Sequence, residues 1–385
     1  MLKKDTKTPI GTDQLDGLRF FAFAAVFFFH FQAGPEMPTL SFFQKQGWIG
    51  VEVFFAISAF LLFGLFQQEH DKVGRINVSQ FYIRRLLRIY PLMMVFSIAM
   101  LVTYSSPSWA AVGWLAGLAS FVGNYIYWFP EKAQAVPNTA HLWTLAYEFQ
   151  IYMILPLLFF AYRAVGKRAF VAGLICALPI CLVGRAAFVM SGISSQAVYV
   201  TPILRPEATI AGILVGIGVT RGISIKVACA ALLCSLAGLY ILPDMHTASG
   251  TVGVYLVTGL FAGSLLHVAL YADAIGAFLR WAPIAYLGRI SFGLYVFHLW
   301  AFTTAMTMTR MTPIHESYAT RCIAGLAFCI AAATASYHLF ERPLLRLKPR
   351  SYGPKMTAGS PPIAASIASA VGSLAKMSVR VFQRS

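Results

Sequence analysis

The chain has 385 residues, 58% of them hydrophobic and only 11% charged, with a mean hydropathy of +0.69. Soluble domains carry about 25% charged residues, so a water-facing globule, a disordered tail protein and a secreted disulfide scaffold are all excluded. Lys and Arg number 30 against 14 Asp and Glu; their short runs at the ends of apolar segments read as membrane-protein loop charges, not as a nucleic-acid surface.

A spanning helix needs about 20 mostly apolar residues to cross ~30 Å of hydrocarbon. Ten segments meet that demand: 16–33, 48–66, 82–104, 141–162, 169–190, 203–220, 225–242, 251–271, 284–306 and 317–339. The expected fold is an all-α integral membrane protein of about ten transmembrane helices. A cytoplasmic leader (1–15) precedes the transmembrane domain (16–347), and a basic cytoplasmic tail (348–385) follows it. With both termini cytoplasmic, 24 of the 30 Lys and Arg lie inside, leaving Lys45, Lys132, Arg185, Arg205, Arg310 and Arg321 outside. Residues 109–129 are apolar but Gly-rich and aromatic, and read as interfacial, re-entrant or an eleventh span. An eleventh span would put the basic tail on the wrong side. The first span follows a polar leader and lacks an A-x-A-like site, so it reads as a retained helix and not a signal peptide. The tail is Gly/Pro/Ser-rich and then weakly amphipathic, fitting either a disordered segment or an interfacial helix. All six cysteines fall inside apolar segments without metal-ligand spacing, so neither a disulfide nor a metal is expected.

Ionisable side chains within spans are costly and by default mark a pathway or a catalytic site. Arg19 opens the first span and His30 follows eleven residues later. At 3.6 residues per turn the two share a helix face, ~16 Å apart in depth. Glu52 lies early in the second span, Glu148 about two turns into the fourth, and His298 late in the ninth. Counting from the span ends places His30, Glu52, Glu148 and His298 together in the outer half. A carboxylate there would hold an imidazole in one tautomer and raise its basicity. At the inner face, Arg84, Arg85 and Arg88 open the third span and Arg289 opens the ninth. Arg85 and Arg88 are one turn apart, and read either as topology charges or as two guanidinium forks suited to phosphate. Trp109, Trp114, Tyr125, Tyr127 and Trp128 read as interfacial anchors ahead of sugar-stacking platforms.

Six segments in order carry a resemblance: LDGLRFFAFAAVFFFHF, GWIGVEVFFAISAFLLFG, FYIRRLLRIYPL, HLWTLAYEFQIYMILPLL, YLGRISFGLYVFHLW and YHLFERPLLRL. Together they resemble the membrane acyltransferase-3 family of bacterial integral-membrane acyltransferases. The resemblance implies transfer of an acyl group, usually acetyl, from cytoplasmic acyl-CoA (acetyl-CoA) to a hydroxyl of a surface or lipid-linked glycan. It maps the family's essential Arg and His onto Arg19 and His30, its arginine pair onto Arg85 and Arg88, and its carboxylate after a Trp-Ser-Leu-like stretch onto Glu148. Glu52 stands where the family often has Asp, Ala59 replaces a usual Gly, Thr144 a usual Ser, and Phe149 a frequent second Glu. None of these departures removes a catalytic group. His30, oriented by Glu52 or Glu148, is the expected general base, and direct transfer and a transient acyl-histidine both fit. Arg85, Arg88 and Arg289 are the expected CoA-phosphate residues, with His298, His141 and Trp143 in support. The expected setting is the bacterial inner membrane among its lipids, with no nucleic-acid partner and the oligomeric state open. O-antigen, exopolysaccharide, lipo-oligosaccharide and peptidoglycan all fit as acceptors. The competing class is a proton-coupled glycan or lipid transporter or flippase, for which buried His and Glu would form a relay. No convincing repeat relates the two halves, as many transporters would require.

Overall fold

In hydrocarbon every backbone N–H and C=O must be satisfied within the protein, which leaves an apolar segment little choice but helix. The computed structural model describes residues 12–31, 40–106, 108–310 and 318–347, and among these it is helical with no strand. Residues 1–11 of the expected leader and the whole expected tail lie outside the described residues. In chain order the helices are α1 (Thr12–His30), α2 (Ser41–Gln46), α3 (Ile49–Val73), α4 (Val78–Tyr104) and α5 (Trp109–Ala119). Next come α6 (Gly123–Ile126), α7 (Pro130–Ala133), α8 (Trp143–Met190), α9 (Ser195–Tyr199), α10 (Glu207–Gly216) and α11 (Ile225–Ile241). The last are α12 (Ala248–Tyr271), α13 (Asp273–Leu279), α14 (Ala282–Arg289), α15 (Ser291–Thr309), α16 (Tyr318–Ser336) and α17 (Arg342–Leu345). Five helical stretches are long and apolar enough to cross a membrane: Ile49–Val73, Val78–Tyr104, Ala140–Met190, Ala248–Tyr271 and Tyr318–Leu345.

The third of these is two helices. Gly166 interrupts it at φ 78°, ψ 166°, a conformation essentially reserved for glycine. Tyr147, near its start, bonds the Arg205 carbonyl at 3.1 Å, while Arg185, near its end, bonds the adjacent Leu204 carbonyl at 2.6 Å. A straight helix would hold those residues about 57 Å apart at 1.5 Å per residue. The chain therefore reverses at Gly166, and limbs 143–165 and 167–190 lie side by side, as the separate segments 141–162 and 169–190 anticipate.

Two expected elements differ, and a third, left open, is narrowed. Segment 203–220 forms a 3₁₀ turn over Pro202–Leu204 and the ten-residue α10, about 15 Å long and too short to cross alone. Pro202 and Pro206 withhold N–H groups there, and Gly218 (φ 70°) follows the helix end. Segment 284–306 breaks at Ile290 into α14 and α15. Residues 109–129 form α5 and α6, separated by Phe121 at φ 57°, and so are not one crossing helix.

Close approach of small residues sets the bundle. A Cβ at Gly50 would collide with the Ala22 carbonyl, and one at Gly212 with that of Ala56. This lets α3 lie directly against α1 on one side and α10 on the other. Ala59 is fully buried in the same packing.

Candidate active site

A cavity of about 440 Å³ lies between α1, α3, α4, α8 and α15. Along α3 its lining runs from Gln68 to Val51, about 25 Å of helix. Arg19, Arg85, Arg88 and Gln68 line one end. Arg85 and Arg88 point the same way because they are three positions apart on α4. Arg19 is held by its α1 neighbour Asp16 at 2.8 Å, one turn before it. Leu61, Leu62, Leu65, Ile89 and Leu145 supply apolar walls.

Glu148 is the carboxylate of this cavity. Ser58 donates to its Oε1 at 2.8 Å, and Tyr152, one turn further along α8, also donates to Oε1. The expectation that Glu148 lies with His30 is corrected. Two turns of helix and a bonded pair, Thr144 Oγ1 and the Tyr295 hydroxyl at 2.7 Å, stand between Glu148 and the histidines.

Behind Tyr295 the histidines gather. His298 Nε2 lies 3.2 Å from His30 Nδ1, and the His141 ring centre is 4.6 Å from that of His298. The Tyr295 ring is 5.5 Å from His298 and 5.4 Å from His141, so one aromatic side chain both lines the cavity and packs on the histidines. His298 and His141 are buried, and His30 is half-buried.

Glu52 does not join them. It forms an ion pair with Arg205, and both side chains are enclosed. The Arg205 guanidinium carbon lies 4.3 Å from the Tyr199 ring centre, 4.7 Å from Tyr147, 5.5 Å from Tyr255, 5.6 Å from Trp143 and 5.7 Å from Phe55. Arg185 pairs with Glu207 at 2.6 Å beside it. Four buried charges thus lock α3, α8 and α10 together, and Trp143 belongs to this plug and not to the cavity. Arg185 and Arg205 are accordingly enclosed ion-pair residues and not solvent-facing loop charges. Arg289 also falls outside the cavity lining: it faces Asp13 at 3.9 Å, with 42% of its side chain exposed. Trp114 is fully buried and donates to Thr139 at 2.8 Å, which removes it as a sugar platform.

Sequence reasoning passed over Ser58, Tyr152, Tyr295 and Glu207. Tyr152 was discoverable from its i,i+4 spacing to Glu148, and Glu207 as an acid opening an apolar helix. Ser58 and Tyr295 carry no local signal. Among the described residues no group of three or more His, Cys, Asp or Glu side chains is arranged so that it could hold a metal ion.

A chain helical throughout its described residues, with several helices of membrane length, is a multi-pass membrane protein. It belongs to the acyltransferase family whose domain model, described as an acyltransferase domain, matches residues 12–338. Similar curated proteins include O-acetyltransferase OatA of Staphylococcus aureus, 22% identical over 361 residues, covering 86% of this chain and 56% of that protein. A Bacillus subtilis protein provisionally named peptidoglycan O-acetyltransferase YrhL is 24% identical over 370 residues, covering 86% of this chain and 54% of its own. The chain spans about half the length of these relatives. No solved structure matches.

Proposed function

We propose that this chain is an O-acetyltransferase of the bacterial inner membrane that moves acetyl from cytoplasmic acetyl-CoA to a hydroxyl of a surface or lipid-linked glycan. Its fold would cross the membrane about ten times with both termini cytoplasmic. The observation that carries this reading is the cavity, with three arginines at one end and apolar walls beyond. The names of the relatives support the choice of acetyl and of a saccharide acceptor.

The residues suit such a donor. Arg85 Nε is buried without a hydrogen-bond partner, beside Arg88 and Arg19, and charge-assisted bonds to phosphate would satisfy it. The donor supplies an acyl group already activated as a thioester. Arg85 and Arg88 hold phosphates at the mouth, and Arg19 adds positive charge while Asp16 fixes its direction. Glu148, held by Ser58 and Tyr152, accepts hydrogen bonds within the cavity. His30 takes the proton of the acceptor hydroxyl, which is a poor nucleophile until that proton leaves. Tyr295 divides the donor side from the acceptor side.

Purified protein in nanodiscs, given labelled acetyl-CoA and a panel of glycans, makes the test. Wild type should transfer label, and His30→Gln, which keeps a hydrogen bond but takes no proton near pH 7, should lose about 10²–10⁴-fold. Normal transfer by His30→Gln would move the base role to Glu148. Absence of transfer from wild type to every glycan class would overturn the reading.

A further inference from the structure

The three clustered imidazoles can be assigned protons from the backbone atoms they face. A carbonyl oxygen only accepts, so the ring nitrogen opposite it carries the hydrogen. His298 Nδ1 lies 2.6 Å from the Tyr295 carbonyl oxygen, which leaves the lone pair of neutral His298 on Nε2. That Nε2 is 3.2 Å from His30 Nδ1. Two lone pairs cannot form a hydrogen bond, so His30 Nδ1 carries a hydrogen, and the Val26 carbonyl 3.1 Å away requires the same. The free lone pair of His30 is therefore on Nε2. His141 follows the same rule: its Nε2 faces the Val296 carbonyl at 3.2 Å, while its buried Nδ1 has no partner.

We propose that His298 is the positioning residue for His30, with its neutral Nε2 accepting the Nδ1–H of His30 and sharing the charge His30 gains when it takes a proton. The proposal rests on the reading of His30 as general base. Serine hydrolases give that supporting role to a carboxylate, but among the described residues none bonds either ring; Glu52 and Glu148 are committed elsewhere. A neutral imidazole does the same work with no second charge to bury. In the transfer step the hydroxyl proton moves to His30 Nε2 as its oxygen bonds to the acyl carbon. The carbon–sulfur bond breaks with its electron pair on sulfur, and the proton on Nε2 then passes to that sulfur. Throughout, the single His30 Nδ1–H is shared between His298 Nε2 at 3.2 Å and the Val26 carbonyl at 3.1 Å, so the imidazolium is bonded on the side away from the reaction.

Full-length protein labelled with ¹⁵N-histidine in nanodiscs, without substrate, is read by solid-state NMR, with His30→Gln assigning the His30 signals. The expected result is scalar coupling across an N–H···N bond between His30 and His298, with His30 Nε2 unprotonated. Transfer should fall about 10²-fold in His298→Phe and recover largely in His298→Gln, whose amide oxygen can accept from His30. A proton on His30 Nε2, no coupling in wild type, or a normal rate in His298→Phe would overturn the proposal. Loss in Phe without recovery in Gln would assign His298 to packing and overturn it equally. Should His298→Phe not accumulate as folded protein, the wild-type spectrum decides. The spectrum is independent of turnover, so failure of wild type to transfer any acyl group sinks the acyltransferase reading separately.

Discussion

Arg88 and Glu52 show how differently two charges in one helical bundle can be employed. Arg88 lines the cavity and has no acidic partner within ion-pair distance among the described residues. Arg88→Ala should therefore raise the KM for acetyl-CoA about ten- to hundredfold, the equivalent of ~1.5–3 kcal/mol for one charge-assisted contact, with little change in expression. Lys should restore only part, lacking the planar fork; an unchanged KM in steady-state assays returns Arg88 to a topology charge. Glu52 by contrast neutralises Arg205 inside a ring of aromatics. Glu52→Ala leaves that guanidinium buried and unpaired, and should cost about 3–5 kcal/mol, seen as a lower thermal midpoint in detergent. Both residues were visible in the sequence as ionisable groups inside apolar segments, and so were His30, His298 and Glu148. What the sequence hid was the partnering. Glu52 and His30 lie at plausible common depth on adjacent helices, and only the packing of α10 against α3 reveals that Arg205 captures the carboxylate first.

At the level of elements, the hydrophobic run marked most helices and the breakers decided where reading failed. The long α3, α4 and α12 follow from continuous apolar sequence ending at Gly74 or at polar turns. The fold-back at Gly166 was legible too, because Arg163, Lys167 and Arg168 flank it and interrupt the apolar pattern. Segment 203–220 was not: its composition suits a span, and the two prolines that shorten it also occur harmlessly inside α8 at Pro156 and Pro179. The glycines offer a direct check on this account. Gly74 has φ 72°, ψ 0°, left-handed geometry that Asn tolerates, whereas Gly166 has ψ 166° as well as positive φ. Gly166→Asn should lose roughly 1–3 kcal/mol of stability while Gly74→Asn stays near wild type, both read from thermal melts of purified protein. Equal melts would show that the reversal does not depend on glycine.

For the whole molecule, the turns sort into two ends. Gln67, His70 and Asp71 near the end of α3, Arg163 beside the α8 reversal, and Arg221 after α10 line one polar recess. At the opposite end Gln46 bonds the Leu239 carbonyl and Ser195 that of His246, both at 2.9 Å. The first group carries the basic residues that the positive-inside bias assigns to the cytoplasm. Reporter fusions after residues 75 and 166 should therefore report cytoplasm, and one near residue 246 the outside. A cytoplasmic signal at 246, or a split between 75 and 166, would contradict this orientation. The Arg-lined mouth of the cavity, opening near the ends of α3 and α4 that bear Gln68 and Arg85, would then face the compartment where acyl-CoA is made.

The Glu52–Arg205 pair spans 153 positions of sequence, and that separation has a consequence during synthesis. Ribosomes add about 5–20 residues per second, so Glu52 waits roughly 8 to 30 s in a nascent chain before its counter-ion exists. Until then α3 enters the bilayer with an acid that has no guanidinium to neutralise it. Chains arrested before residue 205 should be short-lived in a pulse-chase experiment, and Glu52→Gln should lengthen their survival even as it weakens the completed protein.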